Sequence, residues 1–445
     1  MRSVAGAHAR HTGAVDNSND ERRRARARRH VAGLMINTAP LRASRDFRLL
    51  WIGQAVSYFG AMITMAALPY QVFHQTRSSV DVGLLGLAQL GPMLVCGLLG
   101  GVLADAFDKR TILLFLGVAS ALTSALLAMN ASLDHPHLWV LYVLGVLSTS
   151  AGALTFPVMR SLLPLLLEEQ LRPAAFTLQA TYGSFGMMAG PAVGGLLIGT
   201  IGLNAAYLVD VATYVIALFV YTRISPSPPV AKADPEARTS LLDGVRFLRG
   251  HSLVVGIFTI DLVAMVFGMP RALFPALTER LGGGPLLYGL LLSSVAAGAF
   301  LASVTSGWTV RIRRYGRAVL WSVTVWGAAI AVAGLVQIPA LVMLALLVAG
   351  GADMISGVYR STIAAAVTPD ELRGRVSGVE FAVYASGPVL GDVEAGVVGG
   401  LVNLPFAIVS GGVACMVAAA VFAKRMPMFA HYEADAVSEP ATDGA

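Results

Sequence analysis

The sequence predicts an all-α integral membrane protein with twelve transmembrane helices, arranged as two six-helix pseudo-repeats. Of the 445 residues, 56% are hydrophobic and only 13% are charged, whereas soluble domains carry about 25% charged residues. Twelve apolar stretches are each long enough for a membrane-spanning helix, which needs about 20 residues. Matching sequence features also recur in the two halves of the chain.

The apolar stretches are separated by polar or Pro/Gly-rich segments, such as residues 133–136 and 337–339. Within lipid, a helix satisfies all of its backbone polar groups in one segment, so each stretch is predicted to be helical. The predicted spans cover approximately residues 47–73, 81–104, 110–132, 138–164, 175–200, 203–223, 252–278, 286–309, 317–337, 339–366, 374–401 and 404–424.

Lysine and arginine are concentrated on one side of this topology. If the N-terminus is cytoplasmic, the opposite side carries only Arg77 and Arg280, whereas the loops after spans 2, 8 and 10 and the middle loop are basic. Cytoplasmic loops of membrane proteins carry the excess of positive charge. The distribution therefore predicts a multi-pass protein of the cell (cytoplasmic) membrane with both termini in the cytoplasm.

The chain divides into five regions. Residues 1–46 are predicted to be a disordered basic cytoplasmic tail, because arginines cluster between positions 22 and 29; such a run favours a cytoplasmic anchor over nucleic-acid binding. Residues 47–223 and 252–424 form the two bundles, and 425–445 form a second cytoplasmic tail. The linker at 224–251 begins with Ser and Pro and ends with apolar residues at helical spacing over 241–248, which predicts an amphipathic helix at the membrane surface.

The two halves repeat each other weakly. Arg160 near the end of span 4 corresponds to Arg360 near the end of span 10, and each is followed by serine. A Gly-Pro pair at 190–191 in span 5 corresponds to one at 387–388 in span 11. The nearly constant offset indicates duplication of a six-helix unit. Transporters built from repeats bind their substrate near the membrane midplane, between the repeats.

The segment between spans 2 and 3 is a candidate gate. Gly101 would allow close approach of another helix, and Asp105 lies at a helix end just before Lys109 and Arg110. A carboxylate there can accept hydrogen bonds from a helix N-terminus or a basic partner in one conformation and lose them in another. The alternative is a solvated charged turn.

Span 5 carries small residues at spacings that favour tight helix contact, and its proline removes a backbone donor. The predicted helix-packing residues are Gly186, Gly190, Pro191 and Gly194. Plain glycine packing between two helices is the alternative to a functional motif.

Carboxylates within spanning helices are costly and usually face a cavity. Asp210 and Glu380 lie closer to predicted helix ends, where solvation is expected. The predicted proton-coupling candidates are therefore Asp261, Asp353, Asp392 and Glu394. Alternatively, each could form a structural ion pair with one of three arginines, Arg160, Arg271 or Arg360.

Residues 100–110 resemble the signature loop of the major facilitator superfamily, Gly-x-x-x-Asp-Arg-x-Gly-Arg-Arg, with Ala106 replacing a basic residue and Asp108 replacing glycine. The Gly-Pro segment of span 5 resembles the antiporter motif of the superfamily's exporters. From about residue 45 to 425, the chain is similar to the enterobactin-exporter branch, in segments 67–72, 79–84, 101–105, 244–248, 273–277 and 368–375.

This resemblance implies proton-driven efflux of a small molecule, either a siderophore or an amphipathic drug, with protons and the lipid bilayer as the other partners and no nucleic acid. An importer of the same fold is the second possibility, and the Gly-Pro motif argues against it. A lipid-handling protein that moves no solute is a third. An enzyme is disfavoured, because the sequence has no metal-binding His/Glu cluster, no Gly-x-Ser-x-Gly and no nucleotide-binding loop. No cofactor and no metal are expected.

Overall fold

Twelve long helices form the computed structural model of the chain, which describes residues 37–226, 251–369 and 372–433. They are α1 (Arg45–Thr76), α2 (Ser79–Ala106), α3 (Lys109–Ala131), α4 (Leu138–Leu166), α5 (Arg172–Thr200), α6 (Leu203–Tyr221), α7 (Ser252–Gly268), α8 (Pro285–Val304), α9 (Tyr315–Leu335), α10 (Pro339–Val367), α11 (Arg373–Leu401) and α12 (Leu404–Arg425). The chain folds as the all-α membrane architecture that its sequence predicts.

Ten helical segments of the described residues are long and apolar enough to cross a membrane. One of them joins α7 to the short helix that follows it, as a single span over Ser252–Arg280. The two remaining long helices, α5 and α11, have 29 residues each, so composition rather than length keeps them out of that group. Both are rich in glycine, and α11 also carries three carboxylates.

The N-terminal boundary differs from the prediction. A short helix occupies Ala39–Ala43, and α1 already begins at Arg45, where the Ser44 hydroxyl accepts a hydrogen bond from the Phe47 amide at 3.2 Å. Phe47 is buried against α4 and α5, which anchors this first turn. The prediction of disorder up to residue 46 is therefore wrong for residues 39–46. Most of the basic tail, the amphipathic segment at 241–248 and residues 434–445 lie outside the described residues.

Helix α7 is interrupted, although its sequence was predicted as one continuous span. The helix ends at Gly268, and the chain resumes through a 3-10 turn at Arg271–Leu273 into a short helix at Phe274–Arg280. Pro270 explains the break, because proline lacks an amide donor and disfavours helical geometry in the residue before it. At the break, the Ala272 amide donates to a side chain of another helix rather than to a backbone carbonyl of its own.

The same helix pairs pack in both halves, which confirms the two six-helix pseudo-repeats. Adding six to each helix number converts one set of contacts into the other. The first half contains the pairs α1–α5, α1–α6, α2–α4, α3–α4 and α3–α6, and the second contains α7–α11, α7–α12, α8–α10, α9–α10 and α9–α12.

The halves meet mainly through α2 against α11 and α5 against α8, which are also equivalent pairs. At the end of the bundle where α1 passes into α2, called here the Arg77 end, these contacts are made by backbone atoms. A Cβ added at Gly195 would collide with the Pro285 carbonyl oxygen, and one at Gly83 would lie 2.7 Å from the Asp392 carbonyl oxygen. Small residues let helix backbones approach this closely in membranes.

Two side-chain contacts also join the halves at the Arg77 end. Arg77, which ends α1 with a φ of 55°, forms an ion pair with Glu279 of the short helix after α7. The rings of Tyr70 and Tyr288 lie 5.4 Å apart. The Arg77 end is therefore closed by backbone packing, an aromatic contact and an ion pair.

We expect Gly195→Ala to separate the halves at the Arg77 end, because its new methyl group would displace α8 at a cost of about 1–3 kcal/mol. Spin labels at Asp134 and Gln337, exposed loop positions of the first and second halves, should report a longer or broader distance distribution in this variant. Gly199→Ala is the matched control, since a Cβ there lies 3.9 Å from Pro285. Identical distributions in both variants would contradict this account of the closed end.

Candidate functional site

Two pockets between the helices share lining residues, and we treat them as two lobes of one cavity. The larger lobe, about 570 Å³, lies within the first half, and the smaller, about 310 Å³, lies between the halves. They share Ala61 and Met62 of α1. We call them the aromatic lobe and the inter-half lobe. The aromatic lobe is lined by residues close to the opposite end of the bundle, where α2 passes into α3 (the Arg110 end), whereas the inter-half lobe lies toward the Arg77 end.

Apolar residues line most of the aromatic lobe, together with four tyrosines, two glutamines and three Ser/Thr hydroxyls. The Tyr182 ring makes edge contacts with Trp51 and Tyr58, with centroids 6.1 and 5.9 Å apart. The Tyr221 hydroxyl donates to the Gln54 side-chain oxygen at 3.0 Å. Such a wall offers broad apolar faces together with hydrogen-bonding groups, which suits an amphipathic molecule with rings.

Arg160 lies on the wall of the aromatic lobe, and its predicted role as a charge pair stays a prediction. Its guanidinium lies 4.8 Å from the centroid of the Phe156 ring one turn earlier, and its side chain is exposed. None of the ion pairs among the described residues includes it. Arg160 has no acidic partner in this lobe, because no carboxylate is found among the described residues that line it. The lobe therefore presents one available cation to whatever enters it.

Arg271 and Asp392 face the inter-half lobe together. The Arg271 Nη2 donates to the Asp392 Oδ2 at 3.0 Å, and the Ala272 amide donates to Oδ1 at 2.9 Å. The carboxylate of α11 therefore accepts from a backbone amide that the break in α7 leaves without an intrahelical partner. This arrangement of a broken helix beside a cavity is typical of transporter binding sites.

A second charged cluster lies inside the second half. Asp261 of α7 and Arg360 of α10 form an ion pair and are both buried, at 8% and 9% exposure. Asp353, two turns earlier on α10, lies 3.9 Å from the same guanidinium, and 39% of its side chain is exposed. Asp261 also interacts electrostatically with Glu380 of α11. Two carboxylates therefore lie within 4 Å of one arginine, Asp261 in the closer pair, and Glu380 is a third carboxylate near Asp261.

Glu394 stands apart from both clusters. It is half-buried on α11 and makes no hydrogen bond or ion pair with the described residues. Of the four predicted proton-coupling candidates, the structure thus brings Asp261 and Asp353 together, places Asp392 in the inter-half lobe and leaves Glu394 separate.

The predicted gate lies at the Arg110 end. Asp105 is exposed on the last turn of α2, while Lys109 is buried and its ammonium group has no hydrogen-bond partner among the described residues. Arg110 donates to the Thr222 carbonyl oxygen after α6. Asp108 caps α3 by accepting from the Thr111 amide at 2.8 Å.

The close approach predicted at Gly101 belongs to Gly100 in this structure. A Cβ at Gly101 would meet nothing within 4 Å, whereas one at Gly100 would lie 2.9 Å from the Leu154 carbonyl oxygen of α4. The two glycines differ by 100° around the helix, so only one of them can face α4.

The glycines of α5 pack against α1. A Cβ at Gly186 would lie 2.7 Å from the Tyr58 ring, one at Gly190 would collide with the Met62 Cβ, and one at Gly194 would lie 3.4 Å from the Ile63 carbonyl oxygen. The Pro191 carbonyl oxygen faces Gly289 of α8. The motif therefore joins α5 to α1 on one side and to the second half on the other, and it sets the wall of the cavity.

Sequence reasoning missed two features of the site. The tyrosines of the aromatic lobe were not singled out, although Gln54, Ser57 and Tyr58 recur at helical spacing and mark a polar face on α1. Asp210 was expected near a solvated helix end. It is instead 1% exposed, and its carboxylate accepts hydrogen bonds from Thr64 and Ser124, both at 2.7 Å.

We expect Gly190→Ala to destabilise the protein by about 1–3 kcal/mol, because α1 must move to make room for the methyl group. Gly183→Ala on the same helix should leave the stability unchanged, since a Cβ there meets nothing within 4 Å. Thermal unfolding of the two purified variants measures this difference. Equal melting temperatures would show that the contact between α5 and α1 tolerates a larger residue.

Comparison with solved structures gives the fold. The chain is similar to a variant of the nucleoside transporter NupG, with a TM-score of 0.72, 14% identity and coverage of 85% of this chain and 99% of that one. It is also similar to a bacterial homologue of the human lysosomal transporter Spinster in an inward-facing, unoccupied conformation, with a TM-score of 0.62, 15% identity and coverage of 89% and 97%.

Sequence comparison identifies relatives of the chain and the family to which it belongs. The chain is 27% identical over 371 residues to the enterobactin exporter EntS of Escherichia coli O81 (strain ED1a), which covers 83% of this chain and 89% of the relative. A similar match, 27% over 369 residues, is found with EntS of Shigella boydii serotype 18. The profile of the transmembrane secretion effector family matches residues 36–442. The chain therefore belongs to the transmembrane secretion effector family, a group of membrane transporters within the major facilitator superfamily.

Proposed function

We propose that this protein exports a small molecule, a siderophore or an amphipathic drug-like compound, by alternating access driven by proton entry. The observation that carries the proposal is the two-lobed cavity, which reaches the interface of the halves and ends at the closed Arg77 end. With both termini in the cytoplasm, as the basic residues predict, this is a state that can load substrate from the cytoplasm.

The aromatic lobe supports the substrate class. Tyrosine rings can stack on a planar group, and the Arg160 guanidinium can bind an anionic or strongly polar oxygen. The two relatives compared above are enterobactin exporters. Both lines of support favour ring-containing compounds with several oxygen atoms.

The cluster of the second half supports proton coupling. Arg360 is held by Asp261, while the more exposed Asp353 lies 3.9 Å from the same guanidinium. Protonation of one carboxylate removes its attraction for Arg360 and lets the arginine move toward the other. Such an exchange has two discrete arrangements, and alternating access requires an element of this kind.

The first experiment identifies the compound that a strain without this protein retains. A strain that lacks the gene should accumulate a ring-containing compound that the parent secretes, with the largest difference under iron limitation if the compound is a siderophore. Mass spectrometry of cells and medium, with and without iron, measures this. Identical profiles in the deletion strain, the parent and a complemented strain would count against export.

We expect Asp353→Asn to abolish gradient-driven transport while leaving the protein folded, because its side chain is partly exposed and its role is charge exchange. Asp261→Asn should instead lower stability by about 3–5 kcal/mol, since it leaves Arg360 buried without its close partner. Transport into inverted vesicles with and without an imposed pH gradient, together with thermal unfolding, separates the two effects.

Asp392→Asn and Glu394→Gln complete this set, and Asp134→Asn in an exposed loop is the matched control. Proton coupling as proposed fails if all four membrane variants transport at the parental rate under the gradient. It also fails if collapse of the gradient leaves parental transport unchanged.

The orientation gives a separate prediction. In a background without Cys96 and Cys415, a cysteine at the exposed loop position 134 should react with a membrane-impermeant maleimide on intact cells. A cysteine at 313, which is exposed at the Arg110 end, should react only after the membrane is permeabilised. The opposite pattern would place the termini outside and would support import through the same cavity.

A further inference from the structure

Asp210 of α6 lies in the interior of the first half, outside the clusters assigned above. Its carboxylate is surrounded by three hydroxyl groups from three helices, which we call the hydroxyl cage: Thr64 of α1, Ser124 of α3 and Thr213 of α6. Thr64 and Ser124 both donate to Oδ2 at 2.7 Å, and the Thr213 hydroxyl lies 3.4 Å from Oδ1. All four residues are buried.

Among the described residues, no cationic side chain pairs with Asp210 in the cage. The ion pairs of the described residues within the helices involve Asp261, Asp353 and Asp392, each with an arginine, and none of them reaches Asp210. The groups that face the carboxylate from α1 and α3 are uncharged hydroxyls, no charged group of α5 interacts with it, and the titratable neighbour is Tyr214 on its own helix. Hydroxyls alone compensate a buried carboxylate poorly, so this group has a strong tendency to bind a positive ion.

We infer that Asp210 and the hydroxyl cage form a proton-binding site in the first half, in exchange with the inter-half lobe of the cavity. The geometry gives the added proton a place. Oδ2 already accepts two hydrogen bonds, so the proton goes to Oδ1. The Thr213 hydroxyl donates its own hydrogen to the Asp210 carbonyl oxygen at 2.7 Å, which leaves its oxygen free to accept from protonated Oδ1.

The hydroxyl cage is tightly packed on the side of Asp210 Oδ1. A Cβ added at Gly60 of α1 would collide with the Thr213 hydroxyl and the Asp210 Oδ1. This packing leaves little room for a hydrated metal ion around Oδ1, whereas a proton adds no volume. The size of the site therefore favours a proton over a sodium ion.

Thr64 connects the site to the cavity. It also lines the inter-half lobe, so one hydroxyl group separates the carboxyl from the space in which substrate would move. A proton can pass from cavity water to the Thr64 oxygen while the Thr64 hydrogen passes to Asp210 Oδ2, which leaves the hydroxyl intact. Rotation of the protonated carboxyl group about its Cβ–Cγ bond then brings that hydrogen to the Oδ1 position, where the Thr213 oxygen can accept it. The role of this exchange in transport rests on the proposed export function, whereas the proton binding itself does not.

Infrared difference spectroscopy of the purified full-length protein tests proton binding without a substrate. Between about pH 5 and pH 9, the range over which perturbed buried carboxyls often titrate, a carbonyl band of a protonated carboxylic acid should appear as pH falls. We expect Asp210→Asn to lose that band and the control Asp134→Asn, which changes an exposed loop, to retain it. An unchanged band in Asp210→Asn would overturn the inference.

Two milder variants cover the case in which Asp210→Asn fails to fold. Thr64→Val and Ser124→Ala each remove one hydroxyl that donates to the carboxylate form. The band should therefore grow at fixed neutral pH in both variants, and Thr64→Val should also slow its appearance after a pH jump. A spectrum identical to that of the parent in both variants would show that the hydroxyls only hold the helices together.

Two further tests use transport assays and the effect of salts on the infrared band. In vesicles, an imposed pH gradient should stimulate transport by Asp210→Asn at least tenfold less than transport by the parent. Substrate exchange without a gradient should continue. A band that responds to sodium chloride but not to potassium chloride would assign the cage to sodium and overturn the proton assignment. If Asp210→Asn loses the band but the parent protein exports no compound, the proposed export function is refuted. The proton-binding site is then still supported.

Discussion

Backbone contact between the two halves is the constraint on which the cavity depends. At Gly195, where α5 meets α8, and at Gly83, where α2 meets α11, a carbonyl oxygen of the other half occupies the space that a side chain would need. Glycine allows this contact because it has no side chain. Close contact at the Arg77 end leaves the space further along the helices as the two-lobed cavity. The ion pair of Arg77 with Glu279 adds little to such packing, because both side chains are about half exposed and water screens their charges.

The membrane interior imposes a second constraint, since a fully buried carboxylate there needs compensation. Three different solutions occur in one chain. Asp392 binds an arginine and a free amide of the broken helix, Asp261 pairs with Arg360, and Asp210 relies on hydroxyl groups alone. An arginine partner favours the ionised form of a carboxylate, whereas hydroxyls, which can donate or accept, can hydrogen-bond both its ionised and its protonated form.

The span positions were predictable because length and apolar composition are properties of single segments. The break in α7 was visible only as Pro270, and its effect depends on whether another helix can satisfy the freed amides, which Asp392 of α11 does. Gly100 and Gly101 could not be told apart, because the choice depends on which face of α2 meets α4. Asp210 was misjudged for the same reason: its partners lie 86 and 146 residues away in sequence, on other helices.

The two arginines that reveal the duplication also show where the symmetry ends. Arg160 and Arg360 occupy matching positions near the ends of α4 and α10, yet Arg360 is buried against Asp261 while Arg160 lies exposed on the cavity wall over Phe156. The helices α1 and α7, which pack in equivalent places, account for the difference, because α7 supplies a carboxylate and α1 supplies tyrosine and amide groups to its lobe. A duplicated scaffold thus keeps its packing while its charges diverge, so that Arg160 is open to the cavity whereas Arg360 is neutralised within its own half.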